Sequence, residues 1–198
     1  MDKDRKQILL IQGHPDWQHP HLCHALADAY RKGAQAAGHS VEEVTPAQLA
    51  FPLLGSADEW QQGNVPAALL PVQQAIRRAN HLLLLYPLWL GDMPASMKGF
   101  LEQVARPGFA IAREGRNPLR LGLLGGRSAH VLVTMGMPAS PYRLFYRAHS
   151  LKCLKRNMLG FVGIGPVRTT VIGSVASMPP ARFARCCAHM ERLGHAAH

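Results

Sequence analysis

The sequence predicts one α/β domain built on a parallel sheet. Short apolar runs of strand length recur without the polar alternation of a half-exposed strand, which suits strands covered on both faces. Between them lie stretches with apolar residues at helical spacing, so strand and helix alternate along the chain. Finally, 198 residues, 47% of them apolar, suffice for a single domain with a sizeable core.

The first strand is Gln7 to Gln12, with Ile8 to Ile11 as its buried run. Leu22 to Ala37 follows as a helix, carrying Leu22, Leu26 and Tyr30 on one stripe and Gly38 as its stop. The polar, proline-containing loop between them, Gly13 to His21, runs from a strand into a helix N-terminus. Free backbone N–H groups and the helix dipole make such a place favourable for a phosphate. Val41 to Val44 is a short second strand, and Leu49 to Asn64 a long irregular excursion. Such an excursion is often functional or interfacial, packing over a helix face being the alternative; its Phe51, Leu53, Leu54 and Trp60 are costly to leave in water, so a subunit interface is expected there. Val65 to Ala79 makes the second helix, and right-handed crossovers follow from the alternation.

The chain is organised around His81 to Phe109. Leu82 to Tyr86 is a wholly apolar run suited to the middle strand. Pro87, Gly91 and Pro94 then forbid regular structure, although Trp89, Leu90 and Met93 are too apolar for an ordinary solvated loop. An apolar loop at the carboxyl end of a parallel strand lies where open α/β sheets bind ligands, and needs something flat to cover it. After Pro94 a helix carries Met97, Phe100, Leu101 and Val104 on one face, with Gly108 as its stop. Taken alone, Trp89 would more often be a cap on the core or a subunit contact.

Ala110 to Arg127 is a basic excursion, Ala129 to Met135 the fourth strand, and Val167 to Ile172 the fifth. Gly136 follows the fourth strand, where a small residue lets backbone N–H groups approach a ligand. One helix is expected over Tyr142 to Arg156, which would set Tyr142 and His149 about two turns apart on one side. A basic helix ends the chain.

The formal charge of +10 admits an anionic partner. No recognised nucleic-acid motif and no strand-borne stacking aromatics accompany it, so nucleic-acid binding ranks behind the other readings. No apolar run is long enough for a membrane helix and no signal-peptide segment opens the chain, which leads to the expectation of a cytoplasmic protein. Cys23, Cys153, Cys186 and Cys187 lack zinc-ligand or redox-pair spacing. The histidines at 14, 19, 21 and 24 raise the question of a metal, but no carboxylate or cysteine partner is suitably spaced.

The string Pro87, Leu88, Trp89, then Pro94, Lys98, Gly99, Phe100, then Gly108, Phe109, Ala110 resembles the NAD(P)H:quinone oxidoreductase family, which includes DT-diaphorase. In order along the chain, His14 and then Thr134, Met135, Gly136, Met137 and Tyr142 match that family's motifs as well. The resemblance implies a flavodoxin-like three-layer sandwich with a five-stranded parallel sheet of order 2-1-3-4-5. It implies bound FMN or FAD, reduced by NADH or NADPH, and ping-pong hydride transfer to a quinone-like acceptor. On the same basis the cofactor residues are His14, His21, Leu22 and Cys23 at the phosphate, Pro87, Leu88, Trp89, Leu90 and Gly91 at the ring, and Thr134, Met135, Gly136 and Met137 at its polar edge. Tyr142 and His149 take the catalytic roles, and a homodimer completes the pocket. The sequence departs from the family at His21 to Cys23, where relatives carry Ser or Thr and then Phe, and after Ala110, where Ile111 and Arg113 replace tyrosines. Arg113 or Arg116 is then the candidate to meet an anionic group. Two rivals remain: a flavin-binding regulatory subunit of a potassium efflux system, and a one-electron flavodoxin carrier, which the strong positive charge disfavours.

Overall fold

The structure is a computed structural model that describes residues 5–113 and 122–198. Strands β1 (Gln7–Gln12), β2 (Ser40–Val44), β3 (His81–Pro87), β4 (Ser128–Thr134) and β5 (Val167–Ile172) form one sheet of order β2-β1-β3-β4-β5. All four pairings are parallel. The helices are α1 (Leu22–Ala36), α2 (Ala57–Gln62), α3 (Leu70–Arg78), α4 (Ala95–Val104), α5 (Ala139–Leu144), α6 (His149–Cys153) and α7 (Pro180–His195). The flavodoxin-like α/β order implied by the sequence is the one observed.

The unalternating strands are explained by cover on both faces. From β1, Leu9 and Ile11 point to one side with Leu82, Leu84 and Tyr86 of β3, against Val72 and Ile76 of α3 and Met97 and Phe100 of α4. Ile8, Leu10, Leu83 and Leu85 point to the other side, against Leu26 and Tyr30 of α1 and Met190 of α7. Helices α1 and α7 cross at backbone contact: a Cβ at Gly33 would lie 1.9 Å from the Glu191 carbonyl oxygen, and one at Gly194 2.0 Å from that of Tyr30. In register, Gln12 stands beside Leu85 and Pro87 beside Thr134, so β1, β3 and β4 deliver their following loops to one edge.

Two stretches hold more than their sequence spacing shows. The excursion 49–64 contains α2 and is anchored to the chain's own core. Phe51 packs against Phe100, and Trp60 is half-buried against the same cluster. The buried Arg106 guanidinium donates to the Glu59 and Gly63 carbonyls at 2.8 and 2.9 Å, and Gln103 Nε2 donates to the Pro52 carbonyl at 2.7 Å. These bonds satisfy the excursion internally; Leu53 alone of its large apolar side chains stays well exposed, at 66%.

Nor is 142–156 one helix. Helix α5 ends at Leu144; Arg147 and Ala148 adopt left-handed backbone (φ 51° and 49°) before α6 begins, and Leu154–Gly160 is a π-helical turn. The Ala148 amide donates back to the Tyr142 carbonyl at 2.9 Å, which closes the break. Helical spacing cannot show such a break, because Arg147 and Ala148 carry no glycine signal for left-handed backbone.

Candidate functional site

Three loops meet at the carboxyl edge of the sheet. After β1 the chain turns at Gly13, whose amide donates to the Leu85 carbonyl at 2.7 Å. A Cβ there would fall 2.9 Å from the same oxygen, so only glycine permits the approach. The loop then folds on its own imidazoles. His14 is only 7% exposed and stacks on His21, with ring centroids 3.8 Å apart. The Asp16 carboxylate lies 2.8 Å from His21 Nε2 and 3.0 Å from His19 Nδ1. The amides of Gln18 and His19 donate to it as well, at 3.2 and 3.3 Å. At the N-cap of α1 the His21 amide donates to His24 Nδ1 at 3.2 Å, half of a capping box built with histidine.

After β3, Trp89 and Asp92 exchange backbone hydrogen bonds of 2.8 and 3.0 Å around a tight turn. Leu90 (φ 45°) and Gly91 (φ 85°) form its tip in left-handed backbone. The turn stands Trp89 half in solvent, edge-on to His14 at 6.1 Å, and leaves the Leu90 side chain uncovered. At the end of β4, Thr134 is buried with its hydroxyl 3.2 Å from Cys23 Sγ, tying the start of the third loop to α1. Backbone bonds from Ser174 to Met137 and from Val175 to Met135 hold Gly136 outward between them.

These loops enclose two adjoining hollows that share Leu88, Met135 and Gly136. The first, about 210 Å³, brings together His14, His21, Leu22 and Cys23 with Pro87, Trp89 and Thr134. The second, about 550 Å³, is bounded by Leu90 and Gly91 on one side and by Met137, Tyr142 and His149 on the other. Thus every residue nominated from the sequence for the flavin or for catalysis lines one hollow or the other. Tyr142 and His149 reach the same hollow although the helix expected to align them is broken. Sequence reading missed Val175 in the first hollow and Tyr146 and Ser150 in the second. Ser150 lies with its Oγ 3.0 Å from the Tyr142 hydroxyl. Its only local signal was its place between His149 and Leu151 on an assumed helix. Arg113 is exposed and lines neither hollow; Arg116 lies outside the described residues.

The electrostatics follow from burial and these contacts. Burial, and then the neighbouring His21, holds the pKa of His14 below that of an ordinary imidazole; His24 is lowered for the same two reasons. Hydrogen bonds from His21 and His19 hold Asp16 well below the usual carboxylate range. Burial pushes the Cys23 thiol up to about 11 against a smaller opposing effect of Thr134, which makes it an inert filler. Among the described residues no group of histidine, cysteine and carboxylate side chains converges as metal ligands would.

The sequence matches the family described as flavodoxin-like fold over residues 6–193. The chain belongs to this family. An uncharacterised NAD(P)H oxidoreductase of Haemophilus influenzae is 28% identical over 171 residues, covering 84% of this chain and 83% of the relative. The NAD(P)H:quinone oxidoreductase of Methanothermobacter marburgensis superposes with a TM-score of 0.77 at 22% identity, covering 98% of this chain and all of that one. An FMN-dependent NADH-azoreductase of Bacillus anthracis, solved in complex with FMN, gives a TM-score of 0.70 at 15% identity over 95% of this chain and 97% of that one. The fold of that quinone oxidoreductase is therefore shared along nearly the whole chain.

Proposed function

We propose that this chain is a flavin-dependent two-electron reductase. It passes hydride from NADH or NADPH to bound FMN, and on to a quinone or similar planar electrophile. The single observation that carries the proposal is the junction of the two hollows at Leu88, Met135 and Gly136, with an anion-suited loop at one end and Tyr142 and His149 at the other.

The residues present fit the cofactor. A Cβ on Gly136 would meet no atom within 4 Å, so the junction is open space. Among the described residues, the amides of Leu22 and Cys23 at the start of α1, and of Gly136 and Met137 after β4, have no hydrogen-bond partner. Free amides at a helix N-terminus suit a phosphate, and those after β4 suit the carbonyl-rich edge of the ring. Leu88 and Trp89 would hold the apolar part of the ring. The FMN-dependent azoreductase of Bacillus anthracis, which shares the fold, favours FMN over FAD.

When bound, the flavin supplies the acceptance and return of hydride, while the protein supplies position and electrostatics. Tyr142 donates its hydroxyl proton, or accepts one from Ser150, and is held by that contact. His149, on the exposed side of the same hollow, can take or give a proton as charge develops beside it. Donor and acceptor would enter the second hollow in turn, which is the basis for a ping-pong order. Leu90, at its edge, and Leu144 and Phe145, between its lining residues Tyr142 and Tyr146 in the chain, are exposed at 108%, 79% and 80%. A second copy of the chain would cover these side chains and finish the pocket as a homodimer. The site of dimer contact is thereby moved from the excursion 49–64 to this rim.

The test is flavin titration followed by steady-state NAD(P)H oxidation with a panel of quinones. Failure of FMN to bind at micromolar concentration ends the proposal. Tight binding with no turnover by any quinone or azo acceptor would instead favour the regulatory subunit.

A further inference from the structure

Resting on the flavin reading above, we propose that the loop 13–21 binds the phosphate of its ligand together with one proton taken from solvent, with His14 as the proton acceptor. This makes the site selective for a phosphorylated flavin over riboflavin, and increasingly so as pH falls.

The geometry at His14 is what carries this. Its Nδ1 lies 3.2 Å from the Asp16 amide nitrogen and 3.1 Å from the Asp16 carbonyl oxygen. As a bare lone pair Nδ1 accepts from the amide; once protonated it donates to the carbonyl. Either state is satisfied by the same two backbone atoms, and the loop need not rearrange. Nε2 has no partner among the described residues, although the residue is more than nine-tenths buried and lines the first hollow. The side chain thus offers an unused N–H at the anion-suited end of the site, beside the free amides at the start of α1.

Before ligand arrives, three features keep His14 neutral. It is buried, His21 is stacked on it at 3.8 Å, and His24 stands 5.5 Å away. Two of these neighbours would be like charges if protonated. The opposing negative charge is Asp16, already engaged by His21 and His19, and Asp28, which is felt by His24. The flanking loops contribute Trp89 and Thr134, which bear no charge. A phosphate dianion supplies the missing opposite charge and shifts the balance toward imidazolium. The proton comes from the solvent and resides on Nδ1, and Nε2–H points its share of the positive charge toward the anion.

Calorimetric titration of the apoprotein at pH 7.5 in two buffers of different ionisation enthalpy reads the protons taken up directly. At that pH a free phosphomonoester is largely dianionic, its second pKa being about 6. With FMN, uptake approaching one proton is expected, and the dissociation constant should weaken up to about tenfold per unit between pH 7 and 8.5. With riboflavin, uptake should be absent and affinity flat with pH. In His14→Gln the FMN uptake should vanish and the slope flatten, whatever affinity remains. Binding of FMN by the parent protein without proton uptake overturns the inference but leaves the flavin proposal standing. Uptake that persists in His14→Gln overturns it too, by placing the proton elsewhere. If neither flavin binds, it is the functional proposal that fails.

Discussion

Replacing Gly136 by valine separates binding from folding. A Cβ at this position meets no atom within 4 Å, and Gly136 is not among the glycines with positive φ, so the backbone accepts a side chain. The apoprotein should therefore melt within about 0.5 kcal/mol of the parent, as for a surface change that touches nothing. The isopropyl group enters the junction of the two hollows, where the smaller holds only about 210 Å³. Overfilling a packed site costs about 1–3 kcal/mol, which corresponds to roughly 5- to 150-fold weaker FMN binding. Quenching of FMN fluorescence on titration with apoprotein measures this, and thermal melting of the same sample monitors the fold. Gly13→Ala is the contrasting control. Its Cβ would meet the Leu85 carbonyl oxygen at 2.9 Å and Met97 Sδ at 3.1 Å, so stability should fall before binding is considered. Parent affinity in Gly136→Val would refute the placement of the ring at this junction.

Tyr142→Phe and His149→Ala should retain flavin and slow its reduction by NAD(P)H in rapid mixing by about ten- to a thousandfold; parent rates in both holoproteins would remove their catalytic assignment. Acid should destabilise the fold through two strand histidines, because burial, foremost, holds His81 down to about 3 and His130 to about 4. The unfolded chain binds protons at these positions below about pH 6.5 that the folded chain refuses. Stability is accordingly full above pH 6.5 and lost on the way down, by about 2–3 kcal/mol for each histidine at pH 4.5; chemical denaturation at pH 7.5 and 5 should show a smaller slope in His81→Gln. Phe145→Asp should convert a dimer to a monomer in sedimentation, whereas Leu53→Asp should not; the reverse outcome would return the interface to the excursion.

Local sequence determines much of this protein because its signals are local. Ile8 to Ile11 and Leu82 to Tyr86 are apolar at every position, and only a strand with both faces covered uses such a run; the structure buries all of them. Glycine and proline at 87, 91, 94 and 108 mark where regular structure must stop, and the observed turn at Leu90 and Gly91 and the start of α4 after Pro94 follow. Because parallel strands present the loops after them to one edge, residues 14–23, 87–91 and 134–137 could be assigned to one site while far apart in the chain.

Tertiary structure alone decided the rest. The helix expected over 142–156 breaks at Arg147 and Ala148, where the Ala148 amide bonds back to the Tyr142 carbonyl, and helical spacing carries no record of that contact. Phe51 and Trp60 are apolar whether they meet a partner or their own core; Arg106 and Gln103, more than forty residues on, provide the hydrogen bonds that draw their segment inward. The stacking of His14 on His21, and the two Asp16 backbone atoms that flank one imidazole nitrogen, depend on how a nine-residue loop closes between β1 and α1. Residue type shows which groups can bond or titrate, but only the closed chain shows which of them are brought within reach of one another.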